Sequence, residues 1–173
     1  CDAVVVGWRT VAADDPQLTV RHVEGPDPLR VVIDLAGRLP ADHRAFERQS
    51  GGRRPLRLTA EGVPPLATDS VESVAIPTRA RRFRPADVVA LLAGSGSRRI
   101  LVEGGGATVS SFLVDSVLDR LHVAIAPMVI GSGRPGLALP PVDRLGDALR
   151  PPSRHYAMGA DVLFDLDLSG GMG

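Results

Sequence analysis

Lysine is absent from all 173 residues, so every one of the 20 cationic side chains is arginine. That absence excludes Schiff-base and lysine-nucleophile chemistry and leaves guanidinium groups as the only strong cations for holding a phosphate. Cysteine is almost as scarce: Cys1 stands alone, and no internal disulfide can form. His22, His43, His122 and His155 are scattered without the ligand spacing of a zinc site. A metal-free site in a reducing, cytoplasmic setting is the expectation. Charge of one sign is also missing, because 20 acidic residues balance the 20 basic ones. Without a net field, neither nucleic acid nor an anionic membrane surface is an expected partner, and any anion must be held locally. No apolar run approaches the ~20 residues needed to cross a bilayer. Aromatic residues make up only 3%, and Trp8 and Tyr156 read as packing residues rather than base-stacking platforms.

What is present describes an α/β protein. The length and the 44% hydrophobic content suit one domain, residues 1–173, with a core of its own. Short Val/Ile/Leu-rich runs recur at 3–7, 29–34, 55–60, 71–77, 98–104, 120–130 and 161–168. Most are continuous rather than alternating, as in strands covered on both faces. The last run alternates and reads as a half-exposed antiparallel strand near an edge. Helical spacing appears in "PADVVALLAG", with Pro85 at a first turn, Val88, Leu91 and Leu92 on one face and Gly94 as the stop. It appears again in Val109, Phe112, Leu113 and Val117. Residues 98–126 therefore read as a βαβ unit with parallel strands. The stretches "QSGGRRP" (49–55) and "TRARRFRP" (78–85) read as exposed loops, and "GSGRPG" (131–136) as a mobile hairpin or subunit contact.

Two constellations carry chemistry. In "ILVEGGGAT" (100–108) three glycines stand where a strand hands over to a helix. A helix N-terminus offers unpaired N–H groups and partial positive charge, so Gly104, Gly105 and Gly106 would let the backbone from Gly105 to Ser111 approach a pyrophosphate, with Thr108, Ser110 and Ser111 offering hydroxyls. The alternative is a tight turn and nothing more. The spacing is neither the Rossmann fingerprint nor a P-loop. Glu103 is an awkward neighbour for a diphosphate, so it would face a second ligand's hydroxyls or amine; otherwise it caps a loop amide or pairs with an arginine. In "VGWRTVAADDPQLTVR" (6–21) a strand is followed by a turn carrying Thr10, Asp14, Asp15, Pro16 and Arg21. Arg21 could clasp a phosphate bidentately while Asp14 or Thr10 orients a sugar or carboxamide; the other reading is a plain turn with a solvated arginine.

Together "DAVVVGWRTVAADDPQLTVR", "LRVVIDLAGRLP", "ILVEGGGATVSSFLVDSVLDRLHVAIAPMVIGSG" and "MGADVLFDLDL" resemble, in order and over nearly the whole chain, the reductase domain of the riboflavin-biosynthesis deaminase-reductase family, a relative of dihydrofolate reductase. The resemblance implies a dihydrofolate-reductase-like three-layer sandwich: a mostly parallel sheet with an antiparallel C-terminal edge and helices on both faces. It implies NADPH as cofactor, with reduction of the ribosyl group of 5-amino-6-(5-phosphoribosylamino)uracil to the ribityl form. By matching position, Thr10, Asp14, Leu35, Gly104, Gly105, Gly106, Ala107, Thr108, Val109, Ser110 and Ser111 fall on cofactor contacts. Asp14, Leu18, Arg21 and Glu103 fall on substrate contacts, with Arg21 near the phosphate and Glu103 as the catalytic candidate. Arg38 is a candidate for the adenosine 2′-phosphate or a surface residue. The resemblance also implies a homodimer, a phosphorylated pyrimidine as small-molecule partner, and a chain lacking the family's N-terminal strand and substrate-binding segment. A related reductase of another pterin or pyrimidine, or a nucleotide-binding module without catalysis, would keep the same fold.

Overall fold

The computed structural model describes residues 1–48 and 52–170. Five parallel strands form the main sheet. The first, β1 (Ala3–Gly7), and the second, β2 (Leu29–Ile33), are buried along their whole length, as suits their valine-rich centres, and β2 buries Arg30 as well. They are followed by β3 (Leu56–Ala60) and β4 (Glu72–Ile76), then by a two-stranded hairpin, β5 (Thr78–Arg79) and β6 (Arg82–Phe83). The fifth strand of the main sheet is β7 (Ile100–Val102), and the order across it is β4-β3-β2-β1-β7. In register, Val5 of β1 lies opposite Val31 of β2 and Val102 of β7.

Helices cover both faces. Alternate strand residues point to opposite sides, and the two cores follow that alternation. On one side Val5, Val31, Ile33 and Leu58 pack with Val88 and Leu92 of α2 (Pro85–Gly94) and Phe112 of α3 (Gly106–Val114). On the other, Val6 and Val32 pack with Val11 of α1 (Trp8–Asp14) and with Ala45 and Phe46 of a single 3-10 turn. Pro85 opens α2 as expected, and Asp115 at the end of α3 accepts the Ala86 N–H at 3.1 Å, tying the two helices together.

A separate antiparallel sheet is built from β8 (Arg120–Ile125), β9 (Ser153–Met158) and β10 (Asp161–Asp167), in the order β8-β10-β9. Here the sequence-based expectations need correction. Residues 98–126 do not form a parallel βαβ unit, because β7 pairs with β1 while β8 pairs antiparallel with β10. The reason is visible in β8 itself, where Leu121 and Val123 are half-buried between exposed Arg120, His122 and Ala124, the period of a sheet with one open face. The strand ends at Ile125 rather than running to 130. β10 is the middle of its sheet and not an edge, because the polar, exposed run 153–158 supplies an outer strand that its composition does not advertise.

Three loop assignments also change. The segment after Gly7 enters α1 directly instead of turning. Residues 78–85 contain the β5–β6 hairpin, with Ala80 and Arg81 both at positive φ in the turn, and residues 131–136 form no hairpin. Of the segment 49–55, residues 49–51 lie outside the described residues, and Gly52, Arg53 and Arg54 are exposed.

Candidate functional site

The carboxyl ends of β1 and β7 lie side by side, and each continues into a helix start. Glu103 follows β7, its N–H bonded to the Val5 carbonyl of β1 at 2.8 Å. Its side chain is exposed and has no hydrogen bond or ion pair among the described residues. Neither of the structural roles open to it, capping an amide or pairing with an arginine, is realised.

The glycines that follow have distinct reasons. Gly104 sits at φ +107°, and a Cβ there would also approach the Thr10 hydroxyl at 2.8 Å, so no other residue suits it. Gly106 is packed by the chain itself: a Cβ would meet the Pro135 and Gly136 carbonyl oxygens at 2.5 Å. The segment 135–138 is strapped along α3, with the Ala138 N–H donating to Ser110 Oγ at 2.8 Å. Gly105 leads the helix, and its N–H donates to Thr10 Oγ1 at 2.9 Å. Thr10 thereby joins α1 to the glycine turn, across 95 residues of sequence.

Beyond Gly105 the helix begins without a side-chain cap, and the N–H groups of Gly106 and Ala107 find no acceptor among the described residues. Open N–H groups at the positive end of α3 fit the chemistry of a pyrophosphate. Of the hydroxyls of the first turns, by contrast, those of Ser110 and Ser111 are hydrogen-bonded within the fold. Thr108 stands against Gly7, where no Cβ could be accommodated, Ser110 is buried under Ala138, and Ser111 Oγ donates to the Ala107 carbonyl at 2.9 Å. Val109 is half-buried on the same helix.

The second constellation runs along α1 and the loop after it. Asp14, the last helical residue, is exposed. Its neighbour Asp15 is structural: it ends the helix at φ 39°, accepts the Arg44 N–H at 2.9 Å and faces His43 Nδ1 at 3.2 Å. The Arg44 amide, and to a smaller extent His43, hold the Asp15 carboxyl below its ordinary range. Leu18 lies at φ +56° and packs against the core under α1. Arg21 is exposed on a loop closed by the Val20 N–H to Asp27 Oδ1 at 2.7 Å. Leu35 follows β2 and packs on the α2/α3 side, while its carbonyl accepts the Ala60 N–H at 3.0 Å.

The structure thus brings Thr10 into contact with Gly104 and Gly105, and places Glu103 beside them. It puts Asp14 at the far end of the same helix, and Arg21 and Leu35 on separate loops. Two contributors escaped the reading of the sequence. The 135–138 strap has no motif. Asp34, buried at the end of β2, shows itself in the sequence only as an acid closing an apolar strand before a glycine turn. A broad groove between residues 146–152 and 167–170 touches none of the named residues.

An open parallel sheet with a glycine-led helix start and an unpaired carboxylate at adjacent strand ends defines a ligand-binding α/β domain, with its site at the strands' carboxyl ends. The chain belongs to the RibD C-terminal domain family, whose model matches residues 1–157. It is 33% identical over 180 residues to the 2,5-diamino-6-ribosylamino-4(3H)-pyrimidinone 5′-phosphate reductase of Methanothermobacter thermautotrophicus, covering 98% of this chain and 81% of the relative. Among solved structures it resembles the deaminase/5-amino-6-(5-phosphoribosylamino)uracil reductase of Thermotoga maritima, with a TM-score of 0.73 and 25% identity over 96% of this chain. It spans 45% of that longer protein. The riboflavin biosynthesis reductase of Saccharomyces cerevisiae shares the fold at a TM-score of 0.76 and 20% identity, covering 96% of this chain and 75% of the yeast chain.

Proposed function

We propose that this chain reduces a phosphorylated ribosylaminopyrimidine with NADPH, turning the ribosyl group of 5-amino-6-(5-phosphoribosylamino)uracil into the ribityl chain of the riboflavin pathway. The observation that carries the reading is the juxtaposition at the ends of β1 and β7: open N–H groups at the start of α3, and Glu103 unpaired one residue before the glycines. The names of the relatives support the reaction class. When bound, the reduced nicotinamide supplies a hydride.

The protein's own groups have these roles. Gly106 and Ala107 donate backbone N–H bonds to the pyrophosphate, and the Thr10 hydroxyl, which accepts the Gly105 N–H, keeps that turn in shape. Glu103 holds the sugar hydroxyls, or moves a proton to or from the exocyclic amino nitrogen that joins the sugar to the pyrimidine. Arg21 clasps the substrate's phosphate with its planar fork. Asp14 and Leu18 flank the substrate from α1 and the loop beyond.

A second reading keeps the reaction and changes one ring substituent. The relative with 81% of its length covered is named for the 2,5-diaminopyrimidinone phosphate, which favours that compound as the substrate. Incubating the purified chain with NADPH and each compound in turn, then weighing the product by mass spectrometry, separates the two. The expected product is heavier by two hydrogens with one of them, and an unchanged mass with both would refute the reductase assignment.

We further propose that the protein works in the cytoplasm as a homodimer. Support comes from Ile125, Met128, Val129 and Ile130, a run of large apolar side chains 53–100% exposed at the end of β8. Such a cluster on a small protein needs a cover, and a second copy supplies an identical patch.

A further inference from the structure

The β5–β6 hairpin and the residue after it carry four arginines, Arg79, Arg81, Arg82 and Arg84, in a chain without net charge, and Asp87 is the one acid between residues 78 and 94. All four arginines are exposed, and among the described residues none of their guanidinium groups has a hydrogen-bond or ion-pair partner. The hairpin is also arranged against its own stability. Arg79 and Arg82 stand directly opposite each other in the register, where like charges repel. Between them both turn residues, Ala80 and Arg81, hold positive φ, 49° and 62°, in a turn that favours asparagine and glycine. Local rules broken side by side, with no gain inside the fold, mark a surface shaped for something outside it.

The pleat decides which way the arginines face. Phe83 packs on the main core, its ring centroid 6.1 Å from that of Phe112. Its neighbours Arg82 and Arg84 lie on the opposite side of the extended chain, Arg84 at φ −96° and ψ 121°. Arg79, across from Arg82, shares their face. Three guanidinium groups therefore cover the outer face of the ribbon, and Arg81 adds a fourth at its tip. Among the described residues β5 and β6 pair only with each other, so each keeps an open backbone edge. Such an edge takes an added strand through main-chain hydrogen bonds, and every second side chain of that strand falls on the arginine face.

We propose that this face is a docking surface for an extended acidic segment of a partner protein, with aspartate or glutamate at alternate positions. Carboxylates match the planar guanidinium forks and neutralise the repulsion between Arg79 and Arg82. Nucleic acid fits less well, because Phe83 faces inward and the hairpin offers no aromatic ring for a base to stack on. An anionic membrane also fits less well, because none of the exposed large apolar side chains lies between residues 76 and 100. The hairpin follows β4, at the edge of the main sheet opposite β7, so four strand spacings, ~19 Å, separate it from the glycine turn.

Fluorescence anisotropy of a labelled Thr-Glu-Thr-Glu-Thr-Glu peptide, titrated with the purified chain at low ionic strength, tests the surface, with Thr-Gln-Thr-Gln-Thr-Gln as the uncharged control. The expected result is saturable binding of the acidic peptide alone, which weakens as salt is added. In Arg79→Gln/Arg82→Gln the affinity falls roughly tenfold or more. The thermal midpoint of that variant equals or exceeds the parent's, because a like-charge pair has been removed. Arg84→Gln, outside the paired strands, weakens binding in the same direction without touching the hairpin register. Absence of binding, equal binding of the two peptides, or affinity retained in both variants would each overturn the inference. So would tighter binding of oligo(dT) or of phosphatidylserine vesicles than of the peptide, or displacement of the peptide by NADPH, each of which assigns the arginines to another ligand. A lower midpoint in the double variant would overturn it as well, by showing that the arginine pair serves the fold.

Discussion

Leu18 holds a φ of +56° although leucine has no side chain suited to the left-handed region, and it does so in the loop that leads to Arg21. Such a conformation costs of order 1–3 kcal/mol and persists where packing over-determines it, here against the core under α1. Glu103 is the opposite case, an exposed carboxylate without a partner among the described residues. If it moves a proton during reduction, Glu103→Gln, which keeps size and hydrogen bonding, lowers kcat by ~10²-fold or more while the Kd for NADPH is retained. Stopped-flow turnover set against equilibrium binding distinguishes that outcome from a loss of both. Asp34 shows what a buried charge commits a fold to, since it and its ion-pair partner Arg57 are exposed by 0% and 2%. Removing one partner leaves the other uncompensated, so Asp34→Ala costs about 3–5 kcal/mol in chemical denaturation, and a loss below 1 kcal/mol would contradict its anchoring role.

At the scale of elements, the four apolar strands before residue 77 and the two longer helices were readable because their hydrophobic periods match their burial. Val88 and Leu92, and Phe112 and Leu113, point inward as spaced. The C-terminal sheet was less legible. β9 is a polar run with every residue exposed, so no apolar signal marks it, and without it β10 reads as an edge. The pairing of β8 with β10 rather than β7 is a tertiary choice that strand composition leaves open. In the site, Thr10 and the glycine turn are far apart in sequence, and only the fold shows that one bonds the other. The turn before β7 is likewise held by a distant group, Asp2, which accepts the N–H groups of Arg98 and Arg99 at 2.8 and 2.7 Å. Those amides, that of Arg99 foremost, lower the Asp2 pKa. A carboxyl whose folded pKa lies below its unfolded value of roughly 3.9 contributes stability above that value and loses it as the pH falls through the folded pKa. Thermal midpoints measured from pH 7 down to about pH 3 should therefore decline on the acid side, and the decline should be shallower in Asp2→Asn. An identical acid limb in the variant would show that this tie contributes nothing.

For the whole molecule, the division is between a parallel sheet with the candidate site at its carboxyl ends and an antiparallel sheet whose first strand, β8, runs into an exposed apolar segment. No helix among the described residues is long and apolar enough to cross a membrane. If the run at Met128–Ile130 covers a second copy, Val129→Asp, at a residue 100% exposed in the single chain, converts a dimer to a monomer in light scattering without lowering the monomer's folded content. An unchanged mass would place the interface elsewhere. The account as a whole depends on the diphosphate lying at the start of α3. Amide hydrogen exchange with and without NADPH tests this most directly. Protection should concentrate in Gly105–Ser111 and the Thr10–Asp14 helix, and protection that leaves the glycine turn exchanging as fast as in the free protein would contradict it.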